Sequence, residues 1–144
     1  MPPRLMTPTK SWSGVIDVGK LFLAGIGGFI GSTLRYAATG YVQQLGRSSV
    51  FPSGTLAVNL IGCFIIGFLS QLAESRGVFT SESRTFVFVG ILGGFTTFSA
   101  FGNETMNLWR DGQSALALSN VAAHLILGLG AVWISRALAY QIWG

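Results

Sequence analysis

Four long apolar stretches, separated by short polar joints, run through the 144 residues of this chain. Each stretch is near the roughly 20 residues that a helix needs to cross a hydrocarbon core of about 30 Å. Short joints force neighbouring helices to be antiparallel. The pattern predicts an all-α membrane protein with four transmembrane helices, at about Lys20 to Val42, Ser53 to Leu72, Arg84 to Trp109 and Gln113 to Tyr140.

The third stretch contains a pair of glycines, Gly93-Gly94, followed by a run of hydroxyl residues. As one unbroken helix this stretch would extend roughly 39 Å, which exceeds the membrane core. We therefore predict that the third helix is broken in mid-membrane at Gly93-Gly94, which would leave carbonyls and amide hydrogens without helical partners. Such backbone is tolerated where it is buried in protein or lines a water-filled path, so the function is expected here.

The composition agrees with a membrane protein, since 50% of the residues are hydrophobic, 10% are charged and the mean hydropathy is +0.57. Residues 1–16 are polar, contain three prolines and lack the apolar run of a signal peptide, so they are expected to form a disordered or amphipathic lead-in. Residues 17–144 are expected to form a single four-helix transmembrane domain.

Several function classes are not favoured. The basic residues are scattered without a basic run, so nucleic acid is not an expected partner. Gly27 and Gly31 have the GxxxG spacing of closely packed helices and do not resemble a nucleotide-binding loop. The chain has one histidine and one cysteine, Cys63, and no converging catalytic set, so it is not predicted to be an enzyme.

The positive charges are nearly balanced between the two membrane faces. Without the lead-in, four basic residues fall on one side and three on the other, a bias that hardly orients the chain. Two interpretations remain open: a single orientation, or insertion both ways with antiparallel pairing. The first side has Arg4, Lys10, Lys20, Arg76, Arg84 and Arg136, and the second has Arg35, Arg47 and Arg110.

Candidate ligand groups occur on two of the stretches. On the second, Thr55, Asn59 and Cys63 follow helical spacing, and an unpaired Asn59 amide would cost several kcal/mol in the bilayer unless it bonds a neighbour, a ligand or water. On the third, Phe98 and Phe101 lie three residues apart, and phenyl ring edges attract a small anion weakly. The alternative for each is packing between helices or against lipid.

Three sequence blocks stand out, GGFIGSTLRY at Gly27 to Tyr36, GTLAVNLIG at Gly54 to Gly62 and GGFTTFSAF at Gly93 to Phe101. Together they resemble the Fluc/CrcB family of small fluoride ion channels, over about Leu21 to Ala137. The resemblance implies a fluoride-selective channel for passive export and fluoride resistance, in the inner (plasma) membrane, working as an antiparallel dual-topology homodimer with two narrow pores. The expected partners are fluoride, the lipid bilayer and a second copy.

The resemblance also implies roles for individual residues. Arg35 matches a vestibule arginine that closes the first helix, and Glu104 matches an acidic position with a possible gating or pore-end role. The main-chain carbonyls of Gly93 and Thr96 would hold a structural Na⁺ at the centre of the dimer. The implied fluoride pore residues are Asn59, Phe98, Phe101, Thr55, Ser99 and Thr97.

Two other functions stay open at this point. A proton-coupled small exporter would need a central carboxylate, and Glu104 lies near the end of its stretch. A non-transporting membrane assembly subunit is favoured if the glycines and Asn59 only pack helices. On the last stretch Asn120 and His124 lie four residues apart, where His124 is either a hydrogen-bonded packing residue or a proton carrier, and no pore residue is assigned.

Overall fold

The protein is described by a computed structural model that covers residues 17–46 and 50–144. The predicted lead-in, residues 1–16, lies outside the described residues, as does Arg47. Within the described ranges all regular structure is helical, and four helical spans are long and apolar enough to cross a membrane. The protein is therefore a four-helix, all-α chain of the multi-pass membrane type.

The first two spans are regular α-helices. Helix α1 covers Val18–Leu45, and the Asp17 carboxylate caps it by accepting from Gly19 N at 2.9 Å and Lys20 N at 3.3 Å. Helix α2 covers Ser53–Arg76 and ends at Gly77, whose φ of 62° is the left-handed conformation that glycine adopts without strain.

The third span, Ser81–Arg110, is assembled from four pieces. Helix α3 is Ser81–Arg84, a π-helical segment covers Thr85–Leu92, α4 is Gly93–Phe95 and α5 is Phe98–Arg110. The sequence did not predict the π-helical segment. Helix α6, Ser114–Trp143, forms the fourth span and is 30 residues long.

The interruption in the third span lies at a different place from the one predicted. Gly93 and Gly94 are helical, whereas Thr96 (φ −89°, ψ 158°) and Thr97 (φ −151°, ψ 111°) have extended backbone. The prediction of non-helical backbone at Gly93-Gly94 is thus wrong by about three residues. The β-branched threonines suit extended backbone, and Gly94 serves another purpose.

That purpose is close packing of α1 against the third span. A Cβ on Gly27 would lie 2.9 Å from Gly90 Cα, and one on Gly94 would lie 2.7 Å from Gly28 O. A Cβ on Gly31 would overlap Ile91 O. The prediction of close packing through Gly27 and Gly31 is confirmed.

Helix α2 packs mainly against α6, and α1 packs mainly against the π-helical segment and α4. The ends of α2 and α6 are joined by an ion pair between Arg136 and Glu74 at 2.5 Å. The buried apolar core is small, and many large apolar side chains are exposed, among them Phe29, Ile126 and Trp133. Such a surface suits a lipid environment or contact with another protein.

Candidate functional site

The extended backbone at Thr97 is held by one amide side chain from α2. Asn59 Oδ1 accepts from Thr97 N at 2.8 Å, and Asn59 Nδ2 donates to Thr97 O at 3.1 Å. Both backbone groups of Thr97 are thereby satisfied. The prediction that Asn59 must bond a partner is confirmed, and the partner is the interrupted segment. Because an amide carries two N–H groups, Asn59 keeps one further donor.

This pairing changes the hydrogen bonds of the residues before Thr97. In a continuous helix Gly93 O would accept from Thr97 N and Thr96 O would accept from Ala100 N. Instead Thr97 N donates to Asn59, and Ala100 N donates to the Thr97 hydroxyl at 3.2 Å. The interruption therefore takes the usual helical donors away from the carbonyls of Gly93 and Thr96.

The neighbouring carbonyl, Gly94 O, has a side-chain partner from α1. Arg35 Nε donates to it at 3.1 Å. Helix α1 continues for ten residues beyond Arg35, to Leu45, so the expectation that Arg35 closes the first helix is wrong. The guanidinium lies instead beside the interruption and brings a positive charge there.

Helix α5 begins directly after the interruption, with Thr97 as its N-cap. The Thr97 hydroxyl accepts from Ala100 N and also lies 3.2 Å from the Ser99 hydroxyl. The first backbone N–H groups of a helix lack helical partners and carry partial positive charge. The start of α5 is therefore a region rich in hydrogen-bond donors.

Thr55 and Glu104 form a second polar contact between α2 and α5. The Thr55 hydroxyl, which is buried, donates to Glu104 Oε1 at 2.6 Å. Glu104 Oε2 is buried and has no hydrogen-bond partner among the described residues. The carboxyl group thus lies inside the helix bundle, next to Thr55. Thr55 precedes Asn59 by one turn of α2.

The two phenylalanines have different environments. Phe101 is buried, whereas the Phe98 side chain is 83% exposed. Their ring centroids are 5.4 Å apart with an interplanar angle of 55°. Phe101 also lies against the His124 ring, at 4.3 Å between centroids. Phe98 therefore extends outward from the start of α5 and Phe101 packs towards α6.

Helix α6 contributes a chain of polar contacts that sequence reasoning did not assign. Asn120 Nδ2 donates to Thr105 Oγ1 at 2.8 Å, and Thr105 Oγ1 donates to Phe101 O at 2.7 Å. His124 Nδ1 lies 3.0 Å from Asn120 O. The spacing of four residues between Asn120 and His124 was the available signal, but the sequence did not show that both face α5.

Two cavities adjoin these residues, and Thr97 lines both of them. The phenylalanine cavity, of about 380 Å³, is lined among others by Asn59, Cys63, Gly93, Thr96, Thr97, Phe98, Phe101 and His124. The arginine cavity, of about 730 Å³, is lined among others by Arg35, Tyr36, Gln43, Thr55, Thr97 and Glu104. Of the residues predicted for the site, Ser99 lines neither cavity. All the others lie at one cavity or both.

Four membrane-length helices define a small multi-pass membrane protein. Its two cavities adjoin at Thr97, and the polar groups there suit a small solute. The chain belongs to the CrcB-like family: the family described as CrcB-like protein, Camphor Resistance (CrcB), matches residues 22–136. The match includes the second and third spans and most of the first and fourth, which agrees with the resemblance in the three sequence blocks.

Relatives with names indicate what the family does. A protein named fluoride-specific ion channel FluC, from Parabacteroides distasonis, is 47% identical over 123 residues, which are 85% of this chain and 94% of that protein. FluC 3 of Methanosarcina barkeri is 40% identical over 122 residues, 85% of this chain and 91% of that protein. FluC of Opitutus terrae is 46% identical over 121 residues, 83% of this chain and 90% of that protein.

Proposed function

We propose that this protein is a fluoride-selective ion channel that releases cytoplasmic fluoride passively across the cell membrane. The observation that carries the proposal is its membership of a family whose relatives are named fluoride-specific ion channels, with similarity along most of the chain. A channel needs no catalytic set, so the protein is not an enzyme. The cell location is the inner (plasma) membrane, where an exporter of cytoplasmic fluoride acts.

The proposed ion path runs between the two cavities past Thr97. Fluoride is small and strongly hydrated, so a pore must replace its water with donors while binding it weakly enough to release it. The arginine cavity, which Arg35 and Glu104 both line, would serve as the vestibule, where the Arg35 charge attracts anions. Glu104 would act at the pore end. The remaining Asn59 N–H and the hydroxyls of Thr97 and Ser99 supply further donors.

The phenylalanine cavity supplies the weaker contacts of the path. Ring edges are positive, so Phe98 and Phe101 would flank an anion without the strong attraction of a lysine. Thr55 would complete the track beside Glu104, where its hydroxyl is engaged with the carboxyl group. Phe98, Phe101 and Thr55 are proposed pore residues because each lines one of the two cavities. Ser99 lines neither cavity and would take part through its hydroxyl, which lies 3.2 Å from that of Thr97.

We further propose that two copies pair as an antiparallel, dual-topology homodimer with two pores. Phe98 is highly exposed for a pore residue, and Gly93 beside it is exposed as well. One chain therefore leaves the phenylalanine side of the path open, and a second copy would close it. In this arrangement the interruption at Thr96-Thr97 lies in mid-membrane, so the third transmembrane helix is a broken one.

A central Na⁺ would suit the carbonyls of Gly93 and Thr96. Both carbonyls lose their usual helical donors at the interruption, and a twofold axis would double them to four oxygen ligands. Oxygen ligands fit a hard cation. Among the described residues no group of three acidic, histidine or cysteine side chains could hold a metal, so backbone carbonyls are the donors available. The ion would serve as a structural cofactor of the dimer.

The channel function is tested in liposomes loaded with fluoride or chloride. Purified protein should release fluoride when a potassium ionophore shunts the membrane potential, and should retain chloride. A proton-coupled exporter would instead need an imposed pH gradient, and an assembly subunit would release neither ion. Equal release of both anions, or release of neither, would contradict the proposed function.

Sodium removal gives a separate prediction. Protein extracted, purified and reconstituted throughout in N-methylglucamine buffer should lose its dimer on size exclusion and lose most of its fluoride flux, because four carbonyls would face each other without a cation. Adding Na⁺ back should restore both. A stable, fully conducting dimer in sodium-free buffer would rule out the structural ion while leaving the fluoride channel in place.

A further inference from the structure

His124 is the one histidine of the chain, and its ring joins the polar contacts of α6 to the phenylalanine cavity. Nδ1 lies 3.0 Å from Asn120 O, one turn earlier on the same helix. A carbonyl oxygen can only accept, so Nδ1 carries the proton of this hydrogen bond. In the neutral ring Nε2 is then an acceptor.

Nε2 is the second nitrogen of the ring. It is buried and has no hydrogen-bond partner among the described residues. The residue lines the phenylalanine cavity, and its ring lies 4.3 Å from Phe101 between centroids. Histidine therefore meets the proposed anion path beside one of the two phenylalanines, with its distal nitrogen uncommitted.

The surroundings of His124 are short of hydrogen-bond donors. Asn120 Oδ1 and Glu104 Oε2 are also buried without a partner in the described part of the chain. The Asn120 oxygen is an acceptor, and both Glu104 oxygens are acceptors when the carboxyl group is ionised. Asn120 Nδ2 is engaged with Thr105. His124 Nε2 therefore has no protein partner at hydrogen-bond distance in the described part of the chain, and an anion in the cavity would be the partner of an Nε2–H group.

We propose that His124 lines the ion path and binds fluoride through Nε2–H when the imidazole is protonated, an inference that rests on the proposed channel function. In the neutral form Nε2 presents a lone pair, which repels an anion. Protonation converts it to a donor with a positive charge. Fluoride occupancy of the phenylalanine cavity therefore increases as the pH falls.

Few other titratable groups face His124. Glu104 on α5 is close enough to interact with it electrostatically, and the Cys63 thiol on α2 lines the same cavity. The residues of the π-helical segment and α4 at this cavity are Phe88, Leu92 and Gly93, which do not titrate. Along α6 the next charged residue is Arg136, which pairs with Glu74.

The first test measures fluoride efflux from liposomes at pH 6 and pH 8, corrected for protein-free vesicles at each pH. Histidine changes charge in this interval, so wild-type efflux at pH 6 should exceed that at pH 8 by about fivefold or more. His124→Gln, which is neutral throughout, should give a ratio near one. Glu104→Gln should keep a ratio well above one, because it leaves the His124 imidazole in place.

The second test does not depend on flux. In tag-free protein labelled with ¹⁵N-histidine, a single imidazole is observed, and fluoride added at pH 6 should shift its Nε2 resonance while equal chloride does not. Fluoride at pH 8 should have little effect. This readout also covers the case in which His124→Gln yields too little dimer for efflux.

Each remaining outcome is decisive. The inference is overturned if wild type and His124→Gln show the same pH ratio, or if the pH ratio disappears in Glu104→Gln alone. It is also overturned if the Nε2 resonance does not respond to fluoride in protein that conducts fluoride. In these cases fluoride-selective efflux persists and the proposed channel function stands. Wild-type protein without fluoride efflux at either pH would overturn the channel function, and the role of His124 with it.

Discussion

Asn59→Asp is expected to reduce fluoride efflux by about a hundredfold or more. The new carboxylate can still accept from Thr97 N–H, but it has no donor for Thr97 O, which Asn59 Nδ2 supplies at 3.1 Å. An unsatisfied buried carbonyl costs about 1–3 kcal/mol. The substitution also places a negative charge on the proposed anion path, where like charges about 4 Å apart repel by about 4 kcal/mol. Each 1.36 kcal/mol added to a barrier slows a rate tenfold.

The matched control is Asn107→Asp. Asn107 is exposed on α5 and its side chain lines neither cavity, so the same chemical change occurs on the same chain away from the path. Efflux should remain within about twofold of wild type, as expected for a surface substitution. Both variants are compared at equal dimer content on size exclusion. Wild-type efflux in Asn59→Asp would place the ion path elsewhere in the protein.

The limits of the four spans follow closely from the apolar pattern. Helix α2 begins at Ser53 as predicted, and the others differ by a few residues at their ends, because polar helix ends extend beyond the apolar core. For the interruption, the sequence indicated the correct span and the wrong residues. Glycine pairs mark both helix breaks and close helix contacts, and the contact with Gly28 shows that Gly94 belongs to the second kind.

The position of the interruption depends on residues far apart in sequence. Asn59 on α2 pairs with the backbone of Thr97, 38 positions later, and Arg35 on α1 bonds Gly94 O, 59 positions later. No local pattern encodes these bonds, since each joins two different spans and the pair together requires the packed arrangement of three. The π-helical segment also packs against a distant part of the chain, since Gly27 of α1 and Gly90 approach closely.

The candidate site could be assembled from the sequence only with help from the family resemblance. Spacing placed Asn59 and Thr55 on one stripe, but it did not show that their partners are Thr97 and Glu104. The contribution of α6 was missed because an asparagine in an apolar helix is equally consistent with packing. Its partner, Thr105, lies on a different helix.

Gly31→Ala adds only one methyl group, but it is expected to prevent stable folding. The added Cβ would overlap Ile91 O and lie 2.9 Å from Phe95 N, and both atoms belong to backbone that cannot rotate away. Helix α1 would have to separate from the third span at the level of the interruption. Overpacking of this kind costs about 1–3 kcal/mol or more, and it would also shift Gly94 away from Arg35 Nε.

The comparison for Gly31→Ala is Gly25→Ala, on the same helix. A Cβ at Gly25 meets no atom within 4 Å, and alanine has a higher helix propensity than glycine. The yield of monodisperse dimer and the midpoint of thermal unfolding in detergent should therefore fall for Gly31→Ala and stay near wild type for Gly25→Ala. Equal behaviour of the two variants would mean that α1 does not approach the third span as closely as Gly27, Gly31 and Gly94 indicate. The carbonyls at the interruption would then lack the rigid support that an ion site requires.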